Sequence, residues 1–84
     1  MKKDADWFEG REPQLIYIAK KLAESTAVEA ALTEAGIDFA VEPDEYQGGV
    51  IFRQTRIGAF FYVMPELADE AMGVLRARGF RPRV

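Results

Sequence analysis

The chain has 84 residues, 49% of them hydrophobic, and carries 11 basic against 14 acidic side chains for a formal net charge of −3. It contains neither cysteine nor histidine. That excludes disulfides, thiolate or imidazole metal sites, cysteine or serine–histidine nucleophile pairs and a histidine pH switch, while the acidic balance opposes general polyanion binding.

A domain this small hides only about 60–65% of the surface its unfolded chain exposes, so its stability margin is thin. Oligomerisation or an unusually good core is the support that remains. Asp38, Glu42, Asp44 and Glu45 form an acidic block, and Arg76, Arg78, Arg81 and Arg83 a basic stretch near the C-terminus. These read either as solvated faces or as blocks that meet, within one chain or between neighbours. Residues 1–13 have no signal-peptide core, and no apolar run approaches the roughly 20 residues of a membrane span. A soluble cytoplasmic protein is the expectation.

Residues 1–13 read as a polar N-terminal arm, with Gly10 and Pro13 as breakers, and residues 14–84 as a single domain. Trp7 and Phe8 are the exception in that arm. An adjacent aromatic pair in a polar segment folds back on its own domain or waits for a partner, and docking on its own domain is the favoured expectation. Leu15–Ile16–Tyr17–Ile18–Ala19 is a continuous apolar run, the pattern of a strand in the middle of a sheet. Thr26 with Glu29 forms a capping-box pattern. Val28, Ala31, Leu32 and Ala35 follow at helical spacing, and Gly36 stands where a left-handed C-cap is wanted. A helix is expected over residues 26–35.

Ile37, Phe39 and Val41 alternate with weaker or polar residues, as in an edge strand that Pro43 ends. Residues 44–57 read as a hairpin-like excursion, with Gly48–Gly49 at its turn. Ala59–Phe60–Phe61–Tyr62–Val63–Met64 is the most apolar stretch and reads as a strand buried on both faces. Pro65 suits the first turn of a second helix. Acids lie near that helix's start and Arg76 and Arg78 near its end, both favourable to the helix dipole. Ala71, Met72 and Leu75 form its stripe, and Gly79 ends it. Phe80, Pro82 and Val84 alternate with Arg81 and Arg83 as a last edge strand.

The expected order is therefore strand, helix, strand, excursion, strand, helix, strand. That is an α+β, ferredoxin-like βαββαβ two-layer sandwich, with two helices on one face of an antiparallel sheet. Helices cover one face only, yet both central strands are apolar on both faces. A set facing away from the helices would mark an interface. Ile16, Ile18, Phe60 and Tyr62 are the candidate oligomer interface, for a dimer or trimer. Tyr46, Val50, Phe52, Arg53 and Arg56 in the excursion are the candidate partner-binding residues.

Catalytic and cofactor motifs are missing. Glu66, Asp69 and Glu70 look like helix-start charges, and the acids of residues 44–49 lack calcium-loop spacing. Ile16–Tyr17–Ile18 and Phe60–Phe61–Tyr62–Val63 loosely resemble the RNA-contacting strands of RNA-recognition motifs. Gly58–Ala59–Phe60 breaks the basic–glycine–aromatic spacing of that family, and core packing explains the aromatics more cheaply.

Three pieces read together carry another likeness. They are Ile16–Tyr17 leading to Ala27–Val28–Glu29–Ala30–Ala31–Leu32, the exit Ala35–Gly36–Ile37, and Val63–Met64–Pro65–Glu66 with Ala68, Ala71 and Leu75. The combination resembles a family of small prokaryotic domains of unknown function, labelled as signal-transducing proteins and related in fold to the PII nitrogen regulators. By that likeness residues 44–57 stand where PII proteins carry a long partner-binding loop. The resemblance implies a regulatory or interaction module with no catalytic residues. No PII nucleotide-binding motif can be matched here.

The function expected is a non-enzymatic regulatory or protein-interaction module without a cofactor, self-associating through its sheet. The alternative is a small-molecule sensor that binds an amino acid or nucleotide near the turn at residues 20–25, at a dimer interface.

Overall fold

A computed structural model describes residues 1–8, 10–48 and 54–82. The elements in chain order are β1 (Lys2–Lys3), a 3-10 turn (Ala5–Phe8), β2 (Gln14–Ala19), α1 (Leu22–Glu34), β3 (Phe39–Gly48), β4 (Gln54–Val63), a second 3-10 turn (Pro65–Leu67) and α2 (Ala68–Ala77). Among the described residues they build an α+β fold with one four-stranded sheet in the order β1-β3-β4-β2. β4 is antiparallel to both its neighbours, whereas β1 runs parallel to β3, so the sheet is mixed. No helix among the described residues is long and apolar enough to cross a membrane.

Both helices lie on one face, and the core sits between them and the sheet. Val28, Ala31 and Leu32 of α1 and Ala68, Ala71, Met72 and Leu75 of α2 close over Tyr17, Ala19, Phe39, Phe61 and Val63. Phe39 and Phe61 put their ring centroids 5.9 Å apart at the centre. Both helices end as expected, at Gly36 (φ 73°) and Gly79 (φ 87°). At the first, the amide of Gly36 donates to the Thr33 carbonyl and that of Ile37 to Leu32, each at 3.0 Å. At the second, Gly79 donates to Arg76 and Phe80 to Leu75, at 3.0 and 2.9 Å. This double bond needs a left-handed residue, which glycine supplies without a Cβ clash.

Five expectations are corrected. The first helix begins at Leu22 rather than Thr26, so Thr26 and Glu29 lie inside it and no capping box forms. The start is set instead by Glu24, whose carboxylate turns back to accept the Lys20 amide at 2.8 Å. Pro43 does not end β3. The strand runs on to Gly48, with Pro43 opposite Ala59. β1 pairs β3 only at Phe39 and Ala40, so at Pro43 the outer edge of β3 is open and a residue without an N–H fits. The excursion is thus a long β3–β4 hairpin.

The Leu15–Ala19 strand is at the sheet edge, not in its middle. Residues 80–82 form no strand beside it. The Phe80 amide is spent on capping α2, and its ring packs edge-on against Tyr17 at 5.8 Å; Pro82 has no amide to give. Residues 83–84 lie outside the described residues. The fourth strand comes from the other end of the chain. The arm is therefore joined to the sheet: the Met1 ammonium donates to the Ile37 carbonyl at 2.5 Å, and the Phe39 amide to Met1 at 3.0 Å.

Ile16 is the fifth correction. The β2–β4 register shifts between Leu15, opposite Tyr62, and Tyr17, opposite Phe61. Ile16 is the extra residue of this bulge, and it is fully buried in the helix-side core. A bulge breaks the strict two-residue alternation of side chains, so Ile16 does not share a face with Ile18.

Candidate functional site

The helix-free face divides into two parts. Cross-strand neighbours share a face, and the register places Leu15 and Ile18 of β2, Tyr62 and Phe60 of β4, and Ala40, Glu42, Asp44 and Tyr46 of β3 together there. The end of that face near Tyr62 is occupied by the arm. Phe8 is buried against Ala40 and Met64, with Tyr62 alongside. Trp7 packs edge-on to Phe8 with ring centroids 4.9 Å apart and stays 38% exposed. Lys3 reaches over the Trp7 ring at 5.7 Å. The aromatic pair thus docks on its own domain, by its phenylalanine.

The other part is an open groove of about 540 Å³. Leu15, Ile18 and Phe60 supply its apolar surface, and Lys20, Glu45, Tyr46 and Arg81 complete the lining. Phe60 is only 8% exposed, and Ile18 is half-buried. Gly58 explains why Tyr46 can lie close. A Cβ at Gly58 would stand 3.0 Å from both Tyr46 Cε1 and Ile18 Cγ2. Lys20 Nζ rests 5.5 Å from the Tyr46 ring centroid, a cation over an aromatic face. Arg81 arrives from the segment after α2, which passes the outer side of β2 once Phe80 has packed on Tyr17.

The charges around the groove are distinct. Among the described residues the ion pairs join the Met1 ammonium to Asp38, Lys2 to Glu29 and Arg78 to Glu34; none involves Lys20, Arg81 or Glu45. Among the described residues no ion pair joins the acidic block to the basic stretch: Asp38 pairs with the Met1 ammonium, and Arg78 with Glu34, which lies outside that block. Burial, with the charges of Glu42 and Asp44 beside it, raises the Tyr62 hydroxyl above its ordinary value of 10.0. The Glu42–Asp44 side of the face is negative and the Lys20–Arg81 side positive. No group of three or more Asp or Glu side chains among the described residues is placed to hold a metal ion.

A smaller cleft of about 160 Å³ lies at the start of α1, between Lys20, Lys21, Leu22 and Ser25 and the β4 residues Ile57, Gly58 and Ala59. Leu22 and Ile57 are 83% and 72% exposed there. This is the turn expected to hold a ligand in the sensor reading.

Of the expected interface residues, Ile18 and Phe60 face the groove, Tyr62 stands between groove and arm, and Ile16 is in the core. Of the expected partner-binding residues, Tyr46 forms a groove wall and Arg56 is exposed opposite it. Val50, Phe52 and Arg53 lie outside the described residues. Leu15 was expected only as part of its strand, Lys20 only as part of the turn at residues 20–25, and Glu45 only as part of the acidic block. The lone signal for Arg81 was its place in the basic stretch. Comparison of the chain with protein-family models, curated proteins and solved structures returns no match.

Proposed function

We propose that this chain is a non-enzymatic regulatory module that binds its target in the groove of the helix-free sheet face. The observation that carries the reading is the groove itself: an open concavity with an apolar floor, two cations and one acid. Its volume is within the range of about 300–1,000 Å³ of small-molecule sites, and such sites pair apolar walls with a few polar groups.

The frame supports the same reading. β2, α1, β3, β4 and α2 follow each other as the first five elements of a ferredoxin-like βαββαβ unit, with β4 between β2 and β3. The sixth element is replaced by residues 80–82 beside β2. The long β3–β4 hairpin stands where PII regulators carry their partner-binding loop, which favours kinship with the PII-like domains of signal transduction. Self-association through the face is a second reading, favoured by the opposed charges of its Glu42–Asp44 and Lys20–Arg81 sides, which suit a two-fold contact. Phe8 and Trp7 limit that contact to the groove end.

Native mass spectrometry at several concentrations, with a thermal-shift screen of amino acids, nucleotides and organic acids, tests both readings. A compound that stabilises the protein, and no longer does so for Ile18→Asp, supports the groove. A bare dimer supports self-association instead. A bare monomer that no compound stabilises would overturn the proposal.

A further inference from the structure

We infer that the groove accepts an amphipathic organic monoanion, with its carboxylate at Arg81 and Lys20 and its apolar body on Leu15, Ile18 and Phe60. The inference rests on the groove being the binding site, and it adds the class of ligand.

The apolar floor sets the first requirement. A ligand polar throughout would leave groups unpaired against Leu15, Ile18 and Phe60, whereas an aliphatic or aromatic body removes the exposed parts of Ile18 and Leu15 from water. Charge sets the second. Lys20 and Arg81 put two positive charges on one side of the groove, on a chain whose net charge is −3. The Lys20–Arg81 side is thus opposite in sign to the molecule, and it has room for one negative charge held away from Glu42 and Asp44 on β3. Glu42 and Asp44 orient that charge, because they repel an anion from the β3 side of the face toward the cations. Polyphosphates fit poorly, since Glu42 opposite Phe60 and Asp44 opposite Gly58 put negative charge on the β3 side of the groove.

The two cations differ in what already holds them. Lys20 lies over the Tyr46 ring, and its charge also acts on the Glu24 carboxylate. An incoming carboxylate would share Lys20 with Glu24. Arg81 has no ion-pair partner among the described residues, and its guanidinium can take a carboxylate through two parallel N–H bonds. Arg81 is therefore the residue on which recognition of the anion should turn. Its exposure on a segment outside the helices and strands makes it replaceable without loss of fold.

Nuclear magnetic resonance titration of the full chain with 3-phenylpropionate and octanoate, against the neutral 3-phenylpropanamide and octanamide, tests this. Saturable shifts are expected at Leu15, Ile18, Tyr46 and Phe60 with the acids. The amides should bind several-fold more weakly, and Arg81→Gln should weaken the acids by about fivefold while leaving the amides unchanged. Added salt should weaken the acids only. Equal binding of acid and amide, shifts confined to other surfaces, or indifference to Arg81→Gln would each overturn the inference. Amides that shift the groove signals as strongly as the acids would remove the anion preference but leave the groove as the binding site. If no compound from the wider screen shifts those signals either, the reading beneath the inference fails as well.

Discussion

The Tyr17 hydroxyl donates a hydrogen bond of 2.5 Å to the Glu24 carboxylate, tying the edge strand β2 to the first turn of α1. Burial comes first in pushing Tyr17 up to about 12, and the hydrogen bond and charge of Glu24 push the same way. For Glu24 burial alone would raise the pKa. The hydrogen bonds from Tyr17 and from the Lys20 and Lys21 amides, with the Lys20 charge, outweigh it and hold the carboxyl below its ordinary value of 4.5. The same carboxylate thus joins the edge strand to the first helical turn and holds the Lys20 backbone that leads into it.

Tyr17→Phe should cost about 1–2 kcal/mol at neutral pH, because a partly buried charged acceptor loses its donor. The pH dependence is a sharper test. The folded protein keeps the Tyr17 proton up to about 12, while the unfolded chain releases it near 10.0. The contribution is therefore full below pH 10 and is lost as pH rises toward 12; a two-unit shift is worth at most about 2.7 kcal/mol. Glu24 acts oppositely, contributing above 4.5 and losing that contribution as pH falls through its lowered value. Urea unfolding of wild type and Tyr17→Phe at pH 8, 10 and 11.5 should show the gap between them closing with pH. A gap that stays constant would mean that Tyr17 ionises alike in both states.

Ile16 and Ile18 should part company on truncation. Ile16 is fully buried among helix-side residues, so Ile16→Ala should cost about 2–5 kcal/mol through a cavity that the core cannot fill. Ile18 is half-buried at the groove, and Ile18→Ala should cost about 1 kcal/mol. Equal losses in denaturant unfolding would mean that the two share a face and that the bulge is absent.

That pair also marks where the sequence stopped being readable. The apolar runs, the glycine helix ends and the stripes Val28–Ala31–Leu32 and Ala71–Met72–Leu75 were legible because each follows from local spacing. The bulge was not, since its register depends on what β4 presents across the ladder, and one inserted residue reverses every assignment before it. Pro43 misled for a related reason: its effect depends on whether a neighbouring strand needs its N–H, which only topology decides. Ile18 and Phe60 were legible as apolar residues of the face turned away from the helices, and Tyr46 as a residue of the excursion. Lys20 was legible only as part of the turn at residues 20–25 and Arg81 only as part of the basic stretch, because a basic residue in a turn or a tail acquires its role from the groove beside it.

Phe8 is the arm's anchor, and Phe8→Ala should separate arm docking from global folding. Its ring is buried against Ala40 and Met64, remote from the helix-side core. The expected cost is about 2–3 kcal/mol, less than for a residue between sheet and helices. Hydrogen exchange should quicken at Trp7, Phe8 and Phe39 before it does at Phe61 or Leu75. Uniform quickening across the chain would show that the arm and the sheet unfold as one unit.

Gly58 offers the most direct check on how the groove is built. A methyl group there must displace the Tyr46 ring or Ile18, each 3.0 Å from the new Cβ, so Gly58→Ala should cost about 1–3 kcal/mol. Glycine inside a strand is otherwise unfavourable, which makes any loss on adding a methyl a measure of that crowding. Tyr46→Ala should remove much of the penalty by clearing one of the two neighbours. The double-mutant cycle is then expected to give a coupling of about 0.5–2 kcal/mol between positions 58 and 46. Because the ring is also a wall of the groove, Gly58→Ala should weaken whatever binds there in step with the movement of Tyr46. A Gly58→Ala penalty of the same size with and without Tyr46 would place the ring elsewhere and leave the groove without that wall.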